Sequence, residues 1–127
     1  MAIDYTALLG LSRAIQVAKA DYDFARDGGA IGVVSLNSET VPLGSIVLGG
    51  SIHVTDAMVF ATTGVLAVWL GTTQVGGPPA GPDETRSWWW YDLPAVVMDA
   101  ARAITAFISN DICTAGKFTV WLYYLPT

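Results

Sequence analysis

The segment 117–125, KFTVWLYYL, decides the fold class. Phe118, Val120, Leu122 and Tyr124 alternate with Thr119, Trp121 and Tyr123, the period of two that sends successive side chains to opposite faces of a strand. Asn110-Asp111 and Ala115-Gly116 bound a turn before it. Upstream, Ile104, Ala106 and Ile108 alternate in the same way. The stretch from Pro94 to Ala103 fits a helix by its alanine content and a strand by continuity, and both readings stay open. Val65–Thr72 is apolar on both faces, as in a central strand of a sandwich.

Ser51–Val59 and Ser45–Leu48 read as strands separated by Gly49-Gly50, with a turn at Val41-Pro42-Leu43-Gly44. AIGVVSL, residues 30–36, reads as a strand between an Asp27-Gly28-Gly29 turn and an Asn37-Ser38-Glu39 loop. Near the start, Ile15 and Val17 share one face and Tyr22 and Phe24 the next, which predicts a bend or bulge near Ala18-Lys19-Ala20. Roughly six to eight short strands, with turn signals about every ten residues, predict an all-β chain. The expected architecture is a single antiparallel β-sandwich, jelly-roll-like, over residues 13–127. A short N-terminal arm, residues 1–12, precedes it.

Composition narrows the function. The 127 residues contain one cysteine, Cys113, and one histidine, which excludes an internal disulfide framework and an ordinary zinc site. Asp4 stands where a signal peptide carries basic residues and the Leu8-Leu9 stretch is short, so synthesis in the cytoplasm is expected. Mean hydropathy is +0.48 and residues 57–82 carry no charge. Thr62-Thr63-Gly64, Gly71-Thr72-Thr73 and a Gly/Pro run interrupt that span, so no membrane helix is expected.

Charged residues make up 13% of the chain, against about a quarter in soluble domains. A monomer of this mass exposes on the order of 6,500 Å², so the charges cover it thinly and burial of surface by partners is expected. The net charge is −5, and the six Lys and Arg residues form no cluster to displace phosphate counterions, which argues against direct nucleic-acid binding.

Candidate chemistry is sparse. Ser51, His53 and Asp56 lie along one predicted strand without a nucleophile elbow or an oxyanion-hole motif, so a small hydrolase is the weakest alternative. Cys113 has no second histidine to activate it and reads as a small buried side chain. Asp21, Asp23 and Asp27 lack the EF-hand spacing, and Gly28-Gly29 and Gly49-Gly50 lack a phosphate-loop pattern. No catalytic, metal or cofactor residue is therefore assigned, and the chain reads as a non-enzyme.

Two features read as protein-contact surface. The loop QVGGPPAGPDETRS, residues 74–87, leads into four consecutive aromatics, Trp88, Trp89, Trp90 and Tyr91. On a strand these cannot all enter one core, and Trp and Tyr are enriched where interfaces concentrate their energy, so a subunit contact is expected here, at Trp88 and Trp90 above all. The rival reading is a carbohydrate-stacking platform on a lectin-like sandwich. In the arm, Ile3, Tyr5, Leu8, Leu9 and Leu11 are apolar yet precede the domain.

Three segments together carry a resemblance: DYDFARDGGAIG (21–32), VPLGSIVLGGSIHVTDAM (41–58) and CTAGKFTVWLYYL (113–125). In this order they resemble the small head proteins of tailed bacteriophages, a family of capsid decoration or cement proteins with a jelly-roll-like fold. The resemblance covers most of the domain. It implies a structural virion protein, made in the host cytoplasm, that binds the major capsid protein on the outer surface of the shell and reinforces it. It also implies a homo-oligomer, a trimer ahead of a dimer, because shells of that kind present many local three-fold positions. Residues 84–92 depart from the pattern, with aromatics standing where a Thr/Gly/Ala-rich strand is expected.

Overall fold

A computed structural model of the protein describes residues 15–76 and 88–126, with the backbone alone described over 88–95. The strands are β1 (Gln16–Asp23), β2 (Gly32–Val41), β3 (Ile46–Phe60), β4 (Val65–Leu70), β5 (Thr73–Gly76), β6 (Trp88–Val97), β7 (Arg102–Ser109) and β8 (Cys113–Leu125). One four-residue helix, α1 (Phe24–Asp27), follows β1. The fold is all-β, as the alternation predicts.

Its topology follows from which strands pair. β1 pairs with β8, β2 with β7, β3 with β6 and β4 with β5, all antiparallel, so the chain forms a long nested hairpin. Further pairs β3–β8 and β4–β7 roll that hairpin into the order β5-β4-β7-β2-β1-β8-β3-β6. This is the strand order of a jelly roll. The halves β5-β4-β7-β2 and β1-β8-β3-β6 share one core, to which Leu66, Val68, Ile104 and Ile108 come from the first and Tyr22, Ile52, Phe118 and Leu122 from the second. A short β1–β2 bridge makes them one sheet, and β5 and β6, the ends of the order, approach each other on the far side.

The bridge explains a difference from the sequence reading. Asn37-Ser38-Glu39 is strand, not loop, because β2 changes partner there. Gly32–Ser35 pair with β7, then Asn37 and Ser38 pair with Asp21 and Ala20 of β1. Where the β7 ladder breaks, the Ser38 hydroxyl accepts the Ile104 N–H at 2.8 Å and donates to the Glu39 carbonyl at 2.6 Å. A polar side chain thus replaces the missing backbone partner.

Other boundaries moved for similar reasons. Gly49-Gly50 lies inside one long strand, β3, at a bulge between Val47 and Gly49. Ala115-Gly116 lies inside β8 at another irregularity. Opposite the first bulge, β6 places Asp92 to Ala95 between residues paired with Gly49 and Val47. Pro94 is tolerated because β6 ends the sheet order and needs no second ladder. Residues 94–97 are therefore strand, and β7 begins only at Arg102. Strand β5 also takes up the start of the expected long loop.

No bulge occurs in β1, whose register with β8 is continuous from Gln16 to Asp23. Ala18, Ala20 and Tyr22 face the core, leaving Val17 on the outside, and Phe24 begins α1. Helix α1 is capped at both ends. The Asp23 carboxylate accepts the Ala25 N–H at 3.0 Å, and Gly28, at φ 77°, donates its N–H to the Phe24 carbonyl at 2.9 Å.

Candidate interaction surface

The outer face of the β1-β8-β3-β6 half is set by the register. Where Phe118, Val120 and Leu122 point into the core, the alternation turns Trp121 and Tyr123 outward, as the sequence predicts. Trp121 pairs with Lys19 on one side and Ser51 on the other, and Ser51 pairs with Trp89. One step along, Val17, Tyr123, Gly49 and Tyr91 form the next row. The Lys19 ammonium sits 5.2 Å from the Trp121 ring centroid, a cation–π contact that pins the half-buried indole. The Ser51 and Tyr123 hydroxyls are 3.4 Å apart. Small residues on β3 thus lie between aromatic positions on both neighbouring strands.

The side chains of Trp88, Trp89, Trp90 and Tyr91 lie outside the described residues, but their backbone positions do not. Trp88 pairs with Ile52, a core residue, and Trp89 with Ser51, an outer-face residue. The arm positions Ile3, Tyr5, Leu8, Leu9 and Leu11 lie wholly outside the described residues.

The residues weighed for chemistry are occupied structurally. Asp56 stands 3.8 Å from the Lys117 ammonium, and Ser51 faces Tyr123. His53 is exposed on the same outer face as Ser51. Asp21 accepts a hydrogen bond from the Thr119 hydroxyl at 3.0 Å, while Asp23 caps α1 and stands 3.9 Å from Lys117. Asp27 receives two hydrogen bonds of 2.8 Å from the Arg26 guanidinium, which hold its carboxyl below the ordinary range, against the opposing effect of burial. Among the described residues no three His, Cys, Asp or Glu side chains gather to hold a metal ion, and no helix is long and apolar enough to cross a membrane.

Cys113 is buried, as its sequence context predicts. Its thiol lies 3.6 Å from the Tyr22 hydroxyl, which donates to the Gly28 carbonyl at 2.7 Å. Burial, reinforced by Cys113, pushes the Tyr22 phenol far above its ordinary value. The Cys113 N–H donates to the Gly29 carbonyl at 2.8 Å, and a Cβ on Gly29 would fall 1.9 Å from the Cys113 oxygen, so only glycine fits there. The "DGG" and "CTAG" segments of the resemblance thus meet at one joint between α1 and β8.

Sequence reading missed a second exposed apolar group, on the opposite half. Ile31 and Val33 are 57% and 66% exposed at the start of β2. A strand reading of AIGVVSL assigns the alternation but not which face is covered.

No family model matches the sequence, and no curated protein matches it. Its fold is similar to that of chains in two solved phage capsids. One belongs to the acid-stable capsid of Helicobacter pylori bacteriophage KHP30, with a TM-score of 0.58 and 18% identity over 90% of each chain. The other belongs to the capsid asymmetric unit of cyanophage Pam1, with a TM-score of 0.51 and 18% identity over 88% of this chain and 85% of that one. The neighbours agree with the resemblance carried by the three sequence segments: this jelly roll is a fold found in phage capsids.

Proposed function

We propose that the protein is a structural virion subunit that sits on the outer surface of a phage capsid, binds the major capsid protein and reinforces the shell as a decoration or cement protein. The observation that carries this reading is the likeness of the whole described jelly roll to chains of two phage capsids, over about nine-tenths of its length. The low charge and the outward aromatic rows support it, since a shell subunit keeps much of its surface against partners. The engagement of Asp56, Asp21, Asp23 and Asp27 in structural contacts supports a role without catalysis. The protein works as a homo-oligomer, requires no cofactor and contacts neither nucleic acid nor membrane.

Co-sedimentation with undecorated shells tests this. Saturable binding, with a raised temperature or lowered pH tolerance of the shell, is the expected result. Shells that neither bind the protein nor gain stability from it would refute the proposal.

A further inference from the structure

The two ends of the strand order, β5 and β6, approach each other without forming a ladder among the described residues, and a cleft lies at that seam. Leu70, Val96 and Met98 supply its apolar wall. Thr72 and Thr73, where β4 turns into β5, line it from one side, and Arg102, at the start of β7, from another. Its volume of about 120 Å³ matches roughly four waters at about 30 Å³ each, room for a carboxylate with one or two methylenes.

The β4–β5 turn sets the Arg102 side chain in place. A Cβ on Gly71 would fall 2.6 Å from the Arg102 Cδ and Nε, so the bare glycine backbone lets that side chain lie across the turn. Among the described residues the guanidinium has one side-chain partner, Asp99, through a single contact of 3.4 Å. A guanidinium carries its N–H donors in a fork that matches a carboxylate two bonds at a time, so one long contact leaves most of that capacity unused. The Asp99 side chain is 83% exposed, and exposed ion pairs of this kind are held weakly.

We propose that this cleft is a docking site for an acidic side chain, an Asp or Glu of a partner protein, which displaces Asp99 and forms the two-bond pair with Arg102. The resident pair already shows which chemistry the guanidinium accepts, and Asp99 and Arg102 are the charged residues of the lining. Val97, 66% exposed at the rim, suits an incoming polypeptide, since a free acid would leave that apolar surface in water. The net charge of −5 opposes an acidic partner at a distance, but physiological salt screens charges beyond a Debye length of about 8 Å. At contact the opposing charge is Asp99, which the exchange releases into solvent. One charge-assisted pair at a surface binds weakly, with a Kd on the order of millimolar, so it fixes the register of a partner more than its affinity. The inference rests on the cleft alone and is independent of where the protein sits in a particle.

Amide chemical shifts of the full chain, titrated to about 20 mM with a blocked Ala-Glu-Ala tripeptide, test it. Saturable shifts at Thr72, Thr73 and Met98 are expected, with the Ala-Gln-Ala peptide at least about tenfold weaker. Asp99→Asn changes an exposed residue and removes the resident competitor, so it should tighten binding about threefold or more. Arg102→Gln should weaken it at least about tenfold, and because that residue is half-buried, the two peptides and Asp99→Asn decide the matter should the variant not fold. The absence of saturable shifts, equal binding of the two peptides, or an Asp99→Asn protein that binds no tighter would overturn the inference. Butyrate binding as tightly as the tripeptide would overturn the choice of a partner protein as occupant.

Discussion

Tyr22 and Phe118 stand directly opposite each other on β1 and β8, their rings stacked at 4.9 Å with 18° between planes. Both are fully buried, so a single contact ties the first described strand to the last and closes the nested hairpin. Removing Phe118 takes away the floor on which Tyr22 lies. Phe118→Ala should cost about 3–5 kcal/mol, read as a drop in the urea midpoint at constant slope. Tyr22→Phe keeps the stack but leaves the Gly28 carbonyl without its hydroxyl, and should cost about 1 kcal/mol.

Stability should fall at both ends of the pH range, for different reasons. Asp27 is held ionised by Arg26, so its native carboxyl titrates below the unfolded one. The stability it contributes is full above about pH 4 and is lost as the pH drops through the lower native value. Tyr22 shows the reverse case, since its native phenol titrates above the unfolded one. Its contribution is full below about pH 10 and is lost as the pH rises past that point. Thermal melts against pH should show Asp27→Asn flattening the acid limb and Tyr22→Phe flattening the alkaline one. Identical pH profiles for wild type and variants would refute both assignments.

The aromatic run should split by register. Trp88 and Trp90 align with Ile52 and Gly50, whereas Trp89 and Tyr91 align with Ser51 and Gly49 beside the outer aromatic rows. We propose, against the sequence expectation that favoured Trp88 and Trp90 for the contact, that Trp89 and Tyr91 meet a partner while Trp88 and Trp90 complete the core. Trp88→Ala and Trp90→Ala should each lower stability by roughly 3–5 kcal/mol. Trp89→Ala and Tyr91→Ala should leave the melt nearly unchanged and weaken shell binding by about 2 kcal/mol, roughly thirtyfold. Destabilisation by all four variants without any loss of binding would make the whole run core. A folded Trp89→Ala that loses a defined glycan, with shell binding intact, would favour the carbohydrate platform.

The arm should matter to assembly and not to folding. We propose that Ile3, Tyr5, Leu8, Leu9 and Leu11 meet a partner, whose burial of their apolar side chains would offset an ordering cost of about 1–2 kcal/mol per residue. Deleting residues 1–12 should leave the thermal melt of the free protein unchanged and reduce shell occupancy. Full occupancy by the truncated protein would remove the arm from the account.

Strands with strict alternation were legible in the sequence: Phe118, Val120 and Leu122 of β8 and Ile104, Ala106 and Ile108 of β7 are all buried as predicted. Errors concentrate where small residues carry the structure. In β1 the core face is Ala18, Ala20 and Tyr22, in one continuous register with β8, where the sequence reading expected the face to switch between Val17 and Tyr22 at a bend or bulge. Gly49-Gly50 and Ala115-Gly116 read locally as turns, yet both are bulges held in a strand by ladders to neighbours distant in sequence. For the surface, the aromatic run was visible as composition, whereas its alignment with Ser51 and Gly49 depends on β3–β6 register, which local pattern does not encode. The exposure of Ile31 and Val33 was hidden for a similar reason, since it depends on how β2 is laid against neighbours distant in sequence.

The central claim is that this jelly roll belongs to the outside of a phage shell, and a cryo-EM reconstruction of the purified source particle tests it most directly. The expected result is ordered density on the outer surface into which the β5-β4-β7-β2-β1-β8-β3-β6 sheet fits, with the Trp121 and Tyr123 face or the N-terminal arm against the major capsid protein. A complete, well-resolved shell without that density, together with mass spectrometry finding the protein only outside particles, would contradict it.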